Sequence, residues 1–310
     1  MTIRLPDRLA PTRAEVVVVG SLNVDRVLTV RQLPTPGETV TAIGETTAYG
    51  GKGANQAAAA AAVGAQVAFI GVVGDDLGGR EGVASLQAAG VEVSCVRIGR
   101  APTGSATIVV DSSGDNMIVV RSGANEELTA IDVRVALESL LLEHSVVLAS
   151  LEVPLEAIEA AASVAQEIGA RFVLNPAPAR VLNSSLLASC DVLVPNEQEV
   201  LNLGRSVPAI LASGVGAVVI TRGGEGAEVF VGREEPRLVP APAVAVRDTT
   251  GAGDVFAAAL AVALQEGAAL LAACRFAVAA GSLATTGLGA RGSLPSRFSI
   301  EEMLTEKGLY

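Results

Sequence analysis

The chain has 310 residues and a formal charge of −11, with six phenylalanines, two tyrosines and no tryptophan. This length is enough for one large α/β domain with a substantial apolar core. The acidic charge and the scarcity of aromatic rings argue against a nucleic-acid partner, which needs a basic surface and usually stacking platforms. No apolar run reaches the roughly 18 residues that a membrane-spanning helix requires, so we expect no membrane partner.

Cysteine use and the start of the chain indicate a reducing compartment. The three cysteines, Cys95, Cys190 and Cys274, are scattered and fit no metal-binding spacing, so we expect buried thiols. Residues 1–15 mix Arg and Asp with Pro and lack the apolar segment of a secretory signal. We therefore expect a cytoplasmic protein. The single histidine, His144, is interpreted as a surface residue, which nearly excludes histidine-based catalysis and zinc sites.

In chain order, short β-branched runs alternate with longer helical patterns. The runs predict strands over residues 16–20, 68–73, 146–150, 172–175, 192–194 and 217–221. The patterns between them predict helices over residues 53–63, 79–89, 130–142, 154–168 and 196–203. Strands that are apolar throughout and separated by helices indicate a parallel sheet covered on both faces. The predicted fold class is α/β, a doubly wound and mostly parallel sheet whose ligand sites lie at the carboxyl ends of the strands.

Two segments interrupt this alternation, at residues 26–47 and 103–121. Both carry alternating apolar residues around Pro, Gly, Ser and Asp turns, which is typical of β-hairpins. We expect the hairpins to follow the first and third strands of the main sheet and to form a small β layer, called the lid below. A thin sheet has unpaired edges, so the lid is expected to close over a ligand and to pair with a second copy in a homodimer. The lid is treated as part of a single domain, residues 1–310.

The most informative motif is Asp-Thr-Thr-Gly-Ala-Gly-Asp-Val-Phe at residues 248–256, which runs into an alanine-rich helical stretch. Small residues at a helix start leave backbone N–H groups open to an anion. The amides of Ala252 and Gly253 could therefore stabilise a transferred phosphoryl group, with Asp254 as the base for the attacking hydroxyl. The alternative is that Asp254 only caps the helix.

A second glycine cluster, Gly-Gly-Lys-Gly-Ala-Asn at residues 50–55, precedes a run of alanines. It matches neither the phosphate-binding loop of nucleotide hydrolases nor the dinucleotide-binding glycine pattern. The cluster predicts a tight turn that lets the backbone approach a ligand. Lys52 and Asn55 would then offer a donor and a mixed donor and acceptor suited to vicinal hydroxyls of a sugar. A purely structural turn is the alternative.

Other polar residues follow predicted strands. Asn23 and Asp25 are two residues apart, so they share one face of an extended segment and could bind a polyol or form a turn. Glu152 follows the predicted strand at 146–150, where it could contact a ligand or cap the next helix. Asn196 and Glu199 begin a predicted helix, whose dipole favours acids there whatever the function.

Together these segments resemble the PfkB carbohydrate kinase family over residues 18–295, nearly the whole chain. The resemblance is strongest in six stretches of sequence: residues 34–39, 50–76, 175–179, 195–197, 221–226 and 248–256. It implies an ATP-dependent enzyme that phosphorylates the 5-hydroxyl of D-ribose. Alternatives are a kinase of another furanose or a nucleoside, or a catalytically silent sugar-binding subunit.

The resemblance also implies roles for individual residues. Asp254 would be the general base, and Gly251, Ala252 and Gly253 would form the anion hole. The residues that would bind the sugar are Asn23, Asp25, Gly51, Lys52, Asn55, Glu152 and Asp254.

The nucleotide side is implied in the same way. The residues that would bind ATP are Asn196, Thr221, Arg222, Gly223, Gly224, Glu225, Gly226, Gly253 and Val278. Glu199 would act on Mg²⁺ indirectly. A monovalent cation, usually K⁺, would lie beside the anion hole at Asp248, Thr250, Ala284, Gly287, Gly289 and Ser293. The chain departs from the family at Val278, where a polar residue is frequent near the adenine, and at residues 204–210, a segment shorter than usual.

Overall fold

The computed structural model describes residues 13–308. Most of residues 1–15, which we expect to carry no secretory signal, lie outside the described residues. Within residues 13–308, thirteen strands form two sheets. The strands are β1 (Val16–Val19), β2 (Asn23–Thr29), β3 (Gly44–Gly50), β4 (Val67–Gly74), β5 (Val96–Gly99), β6 (Gly104–Val110), β7 (Asn116–Arg121), β8 (Val146–Ser150), β9 (Arg171–Asn175), β10 (Val192–Leu193), β11 (Ala217–Thr221), β12 (Ala227–Phe230) and β13 (Arg237–Val239).

Helices connect most of the strands of the larger sheet. They are α1 (Lys52–Ala62), α2 (Leu77–Ala88), α3 (Ala130–Leu140), α4 (Leu155–Ile168), α5 (Ser184–Ala188), α6 (Glu197–Asn202), α7 (Val207–Ala212), α8 (Ala252–Gln265), α9 (Leu270–Ala284) and α10 (Arg297–Glu306). Short 3-10 turns at Gly123–Glu127 and Gly223–Glu225 complete the described elements. None of these helices is long and apolar enough to cross a membrane.

The larger sheet has nine strands in the order β13-β12-β11-β10-β9-β8-β1-β4-β5. The pairs from β11 through β5 are parallel, whereas at one edge β12 pairs antiparallel with both β11 and β13. Because β1 lies inside the sheet, between β8 and β4, and the strands on its two sides are reached by crossovers in opposite directions, the sheet is doubly wound. The expected α/β class and the placement of helices on both faces are confirmed.

Strand β1 shows why both faces of the sheet are covered. It consists of four valines, all fully buried, and successive side chains point to opposite faces. Val16 and Val18 pack into a core shared with α1, α8 and α9, whereas Val17 and Val19 pack into a core shared with α3 and α4. A continuous apolar run is therefore the correct pattern for a strand buried on both faces.

The smaller sheet has four strands in the order β3-β2-β6-β7. Strands β2 and β3 form one antiparallel hairpin and β6 and β7 form the other, while β2 and β6 join them in parallel. The expected hairpins at 26–47 and 103–121 are present. Their strands extend a few residues beyond those limits, to Asn23 and to Gly50, because the ladder continues to the edge of the larger sheet.

The predicted strands and helices of the larger sheet lie within two residues of the observed bounds. No local pattern predicted β5, β12 and β13, which are short or at the edge of the sheet. One expectation was wrong: Cys95 is partly exposed, whereas Cys190 and Cys274 are buried. His144 is exposed just before β8, as expected.

A close approach of two backbones fixes the start of α1 against the loop after β1. A Cβ added at Gly53 would stand 2.7 Å from the Cα of Gly20 and 2.8 Å from the amide nitrogen of Ser21. Backbone atoms at this distance cannot rotate away as a flexible side chain could. The start of α1 therefore requires glycine, although alanine is the better helix former.

We expect Gly53→Ala to lower the free energy of unfolding by about 1–3 kcal/mol, because overpacking of backbone on backbone exceeds the gain in helix propensity. Urea unfolding followed by circular dichroism measures this change. Gly224→Ala is the matched control, since no heavy atom lies within 4 Å of its added Cβ. Equal stability of the Gly53→Ala protein and the wild type would show that the approach is looser than described.

Candidate active site

The polar residues expected from the sequence meet at the carboxyl edge of the larger sheet. Asn23 begins β2 shortly after β1, Glu152 follows β8, Asn175 ends β9 and Asn196 follows β10. Helices α1 and α8 pack against each other beside this edge, and both begin there. The edge of a doubly wound sheet, where its strands end together, is the usual position of a ligand site.

Asp254 lies in the first turn of α8 and is only 6% exposed. Its Oδ2 accepts a hydrogen bond from Asn55 Nδ2 at 3.1 Å, and its Oδ1 accepts one from Gln56 Nε2 at 3.2 Å. Burial raises the pKa of Asp254, while the positive charge of Lys52 and the Asn55 donor oppose the rise. The carboxylate is thus fixed in position and binds a proton more readily than a free aspartate, as a general base requires.

Arg291 is a site residue that the sequence analysis did not identify. Its Nε donates to Asn55 Oδ1 at 3.0 Å, which turns the Asn55 amide nitrogen toward Asp254. Its Nη2 is buried and has no hydrogen-bond partner within residues 13–308. Burial lowers the pKa of Arg291 to about 10, while the charges of Asp25 and Asp254 oppose the fall. A buried donor left without an acceptor fits a ligand that carries hydroxyl groups.

No local pattern in the sequence could have revealed Arg291. It lies in a loop about forty residues after Asp254, between glycines, and no motif marks it. Only the folding of this loop over α1 brings its guanidinium to Asn55.

Lys52 is the cation that several acids share. Its backbone N–H donates to Glu152 Oε2 at 3.0 Å, and the same oxygen accepts a hydrogen bond from the Ser21 hydroxyl. Burial lowers the pKa of the Lys52 ammonium, but the charges of Asp254, Glu152 and Glu199 outweigh that effect and the pKa is raised. Lys52 therefore stays charged, and it links the expected sugar side to Glu199 on the expected nucleotide side.

Asn23 and Gly51 lie side by side where the two sheets meet. The backbone of Gly51, which precedes α1, lies against that of Asn23. Asn23 Oδ1 accepts a hydrogen bond from Asn125 Nδ2 at 2.8 Å. Asn125 is buried. Its side-chain Oδ1 accepts a hydrogen bond from the Leu22 amide, and its Nδ2 donates one to the Leu22 carbonyl. Asn125, a second residue missed at the sequence level, thereby holds Asn23 at the base of the lid.

Asp25 follows on the same strand and carries an unusual pKa. Burial raises the pKa of Asp25 to about 6, the negative charge of Glu152 adds to the rise, and Arg291 opposes it. The structure therefore brings together all the residues expected at the sugar side.

The segment before α8 has the shape of an anion-binding turn. Gly251 adopts a left-handed φ of 79°, and a Cβ there would stand 2.7 Å from the Cα of Ala290. Gly253 is exposed, with no heavy atom within 4 Å of an added Cβ, and helical geometry gives its amide no acceptor within α8. One expectation needs correction: the Ala252 amide donates to the Thr249 carbonyl at 3.2 Å, so it is not open to an anion in this structure.

The residues expected on the nucleotide side form a neighbouring group. Asn196 and Glu199 form a capping box at the start of α6, with hydrogen bonds of 2.7 and 2.8 Å. Asn196 also pairs with Thr221, the last residue of β11. Burial raises the pKa of Glu199, whereas the Asn196 amide and Lys52 oppose the rise. Asn196 and Glu199 thus begin a helix, as expected, and the capping box leaves Glu199 within reach of the charge of Lys52.

The loop after β11 is held by ion pairs of Arg222. Its guanidinium lies within 3.4 Å of carboxylate oxygens of Glu197, Glu225 and Glu228. Gly223, Gly224 and Glu225 form the 3-10 turn, and Gly226 closes it with φ at 103°. Val278 differs from these residues, since it is 5% exposed and packs within the core around α8 and α9. A nucleotide contact of Val278 stays a prediction.

The residues expected around a monovalent cation gather at the ends of α8 and α9. The Asp248 carboxylate accepts hydrogen bonds from the amides of Thr250 at 2.9 Å and Gly289 at 2.7 Å, which help to lower its pKa against the effect of burial. Gly287 lies against Ser293, whose hydroxyl is 3.2 Å from that of Thr286. Ala284 ends α9. The hydroxyls of Thr250 and Ser293, the Asp248 carboxylate and the backbone carbonyls of these residues are oxygen donors of the kind that suits hard cations.

Comparisons with known proteins agree with this architecture. The pfkB family carbohydrate kinase model matches residues 13–297. A ribokinase of Bacillus subtilis is 40% identical and one of Haemophilus influenzae is 38% identical, each alignment covering 94% of this chain and 99% of the relative. The solved structure of Arabidopsis thaliana ribokinase with ribose and ATP is 33% identical, with a TM-score of 0.82 over 96% of this chain and 99% of that one.

The fold and the site together define an α/β protein with a buried acid beside the open backbone of Gly253 at a helix start. The match over nearly all of the described residues makes the assignment specific. The chain belongs to the pfkB family of carbohydrate kinases.

The raised pKa of Asp25 predicts a pH-dependent stability. The folded state holds this proton up to about pH 6, whereas the unfolded chain releases it near the ordinary value of 3.8. Ionisation of Asp25 therefore disfavours the folded state, and its contribution to stability falls as the pH rises from near 4 through 6. Asp25→Asn removes this penalty. We expect the free energy of unfolding of the mutant minus that of the wild type to be about 1–2 kcal/mol more positive at pH 8 than at pH 4.

Urea unfolding of the ligand-free protein at both pH values tests this expectation. Glu143→Gln, which removes an exposed charge far from the site, controls for the general effect of one negative charge in an acidic protein. A difference between Asp25→Asn and the wild type that does not change with pH would contradict the raised pKa.

Proposed function

We propose that this protein is an ATP-dependent ribokinase, which transfers the γ-phosphoryl group of ATP to the 5-hydroxyl of D-ribose. Membership of the carbohydrate kinase family and the ribokinases among the similar proteins support this substrate. One observation of the site carries the proposal. The buried carboxylate of Asp254 is held by two amide donors immediately beside the open backbone of Gly253.

In this mechanism Asp254 takes the proton from the 5-hydroxyl as the hydroxyl oxygen attacks. A base that is buried and raised in pKa accepts a proton efficiently once the hydroxyl lies within hydrogen-bond distance. The amide of Gly253 and the dipole of α8 stabilise negative charge on the transferred group. When bound, ATP would supply that group, with cleavage of its γ-phosphorus–oxygen bond and release of ADP. The turn of Gly251 and Ala252, the other two residues of the proposed anion hole, sets the position of the Gly253 amide.

On the sugar side, the hydroxyls of ribose would be bound by groups that the fold brings together around Lys52. Carboxylates and amides in this group can accept and donate, which suits vicinal hydroxyls. The proposed set is Asn23, Asp25, Gly51, Lys52, Asn55, Glu152 and Asp254. Nη2 of Arg291 is buried and lacks a hydrogen-bond partner among the described residues, so it could donate to a hydroxyl oxygen of the sugar.

On the nucleotide side, the proposed contacts are Asn196, Gly253, Val278 and the loop from Thr221 to Gly226. No cluster of three or more His, Cys, Asp or Glu that could hold a metal ion is found in residues 13–308. A Mg²⁺ ion that arrives with the phosphates needs only one or two protein carboxylates, so the half-buried Glu199 fits an indirect role. The oxygen-rich region of Asp248, Thr250, Ala284, Gly287, Gly289 and Ser293 fits a K⁺ ion that would shape the Gly251 turn.

The lid would close over the sugar and exclude water, so that ATP is not lost to hydrolysis. Its edge strand β7 exposes Met117, Ile118, Val119 and Val120 to solvent. An exposed apolar edge strand favours pairing with a second copy, and a homodimer through the lid follows from it. We also propose that the chain is a single domain with the lid inserted in it, and that it works in the cytoplasm without nucleic-acid or membrane partners.

The assay that tests the function uses the purified protein with ATP and Mg²⁺, with and without K⁺, across pentoses, hexoses and nucleosides. We expect D-ribose to give the highest kcat/KM and K⁺ to raise the rate. A higher kcat/KM for another furanose or for a nucleoside would show that the protein is a kinase of that substrate and not of D-ribose. The absence of turnover with every acceptor would favour a silent sugar-binding subunit.

Asp254→Asn tests the base directly. We expect kcat with ribose to fall by about 10²–10⁴-fold, because an amide cannot take the proton. Ribose binding, measured by titration calorimetry, should stay within a few-fold of the wild type. Glu143→Gln, the same exchange at an exposed position, should leave kcat unchanged. Substantial activity in Asp254→Asn would remove Asp254 from the role of base.

Asn23→Ala and Lys52→Ala test the assignment of the two halves of the site. Loss of a hydrogen bond to the sugar should raise the KM for ribose by up to about 10-fold while the KM for ATP changes less. Steady-state kinetics with each substrate varied in turn measures both constants. Equal changes in the two constants would argue that these residues do not belong to the sugar side.

A further inference from the structure

Gln56 is a fully buried polar residue that neither the sequence motifs nor the proposed mechanism uses. It lies in the first half of α1 with 0% exposure. Its Nε2 donates to Asp254 Oδ1 at 3.2 Å and to Asn175 Oδ1 at 3.1 Å. The side chain therefore connects the proposed base to the end of strand β9.

The direction of each amide in this chain of hydrogen bonds is determined by chemistry. The Val194 carbonyl can only accept, and it accepts from Asn175 Nδ2 at 2.8 Å. Asn175 Oδ1 must then face Gln56, so the Gln56 nitrogen must face both Asn175 and Asp254. The reversed amide would place Gln56 Oε1 against two acceptor oxygens.

The other end of the Gln56 amide shows what this arrangement costs. Gln56 Oε1 is buried and has no hydrogen-bond partner in the described part of the chain. A buried polar atom without a partner is destabilising, and an apolar side chain of similar length would avoid that cost. Stability alone therefore does not account for glutamine here, whereas the need for two N–H donors toward Asn175 and Asp254 does.

We propose that Gln56 is a positioning residue for the base Asp254, anchored to the sheet through Asn175 and the Val194 carbonyl. The inference rests on the proposed function, since it assigns a role relative to that base. One N–H of Gln56 holds Oδ1 at a fixed position. It also favours the ionised carboxylate, the form that accepts a proton, in a place where burial favours the neutral form.

The anchor explains why Gln56 and Asn55 have different roles. Asn55 donates to Oδ2 of Asp254 and is itself held by Arg291 in a loop. Gln56 donates to Oδ1 and is held by the end of a central strand, a rigid element. We infer that Oδ1 is the fixed oxygen and that Oδ2, on the Asn55 side, is the one that meets the sugar hydroxyl.

Gln56→Met is the test, because methionine keeps the length and burial of the side chain but has no N–H donor. We expect kcat with ribose to fall by about 10- to 100-fold from misplacement of the base, with the KM for ATP unchanged. We also expect the acidic limb of the pH profile of kcat/KM to move to higher pH, because the carboxylate loses a donor. A residue that only fills the core would alter neither the pH limb nor the split between kcat and the KM for ATP.

Two further variants keep the test decisive. Asn175→Ala removes the anchor and leaves Gln56 intact, so it should shift the pH limb in the same direction with a smaller loss of kcat. The effects of Asn175→Ala and Gln56→Met should be non-additive in a double-mutant cycle, since both act through one chain of hydrogen bonds. If Gln56→Met does not fold, the pH limb of Asn175→Ala decides alone.

Gln166→Met is the matched control, because Gln166 is exposed on α4 and the same exchange there should leave kcat and the pH limb unchanged. Folding of each variant is checked by circular dichroism and thermal unfolding. A folded Gln56→Met with wild-type kcat and pH limb would overturn the inference. If Asp254→Asn is inactive in that same series, the proposed function stands and only the role of Gln56 fails.

Discussion

The site depends on the burial of one carboxylate, that of Asp254, between the starts of two helices. A buried charge is costly unless donors and a countercharge surround it. Helix α1 supplies both: the side-chain amides of Asn55 and Gln56 donate to one carboxylate oxygen each, and the ammonium of Lys52 is the countercharge. The alanines of α1 and α8 let these helices pack closely, and Gly53 lets α1 approach the loop after β1. The alanine and glycine content of the chain thus serves the site as well as the core.

The charges of the site form a network in which no pair is isolated. Lys52 interacts with acids on both sides of the cleft, and Arg291 opposes the charges of Asp25 and Asp254. Burial raises the pKa of each of Asp25, Glu199 and Asp254, a neighbouring carboxylate adds to each rise, and the cations Lys52 and Arg291 only partly offset it. A neutral hydroxyl-bearing ligand adds no further negative charge to this network.

Much of the architecture could be predicted from local patterns. The four valines of β1 indicate a strand buried on both faces, and the alternating residues between prolines and glycines indicate the hairpins of the lid. Short edge strands such as β13 carry too few residues for a pattern, and their pairing with β12 decides them. The hydrogen-bond partner of the Ala252 amide could not be predicted either, because its bond to the Thr249 carbonyl depends on the backbone conformation of the turn.

The sequence by itself determined the fold class, the glycine turn before α8 and the acid that follows it, because these depend on residues that are neighbours in the chain. Only the tertiary structure decided which groups surround that acid. Gln56, Asn175 and Arg291 are polar residues of ordinary types, separated by more than a hundred residues from one another in the chain. Their roles come from distances and amide directions across α1, β9 and the loop after α9, and no local pattern carries that information.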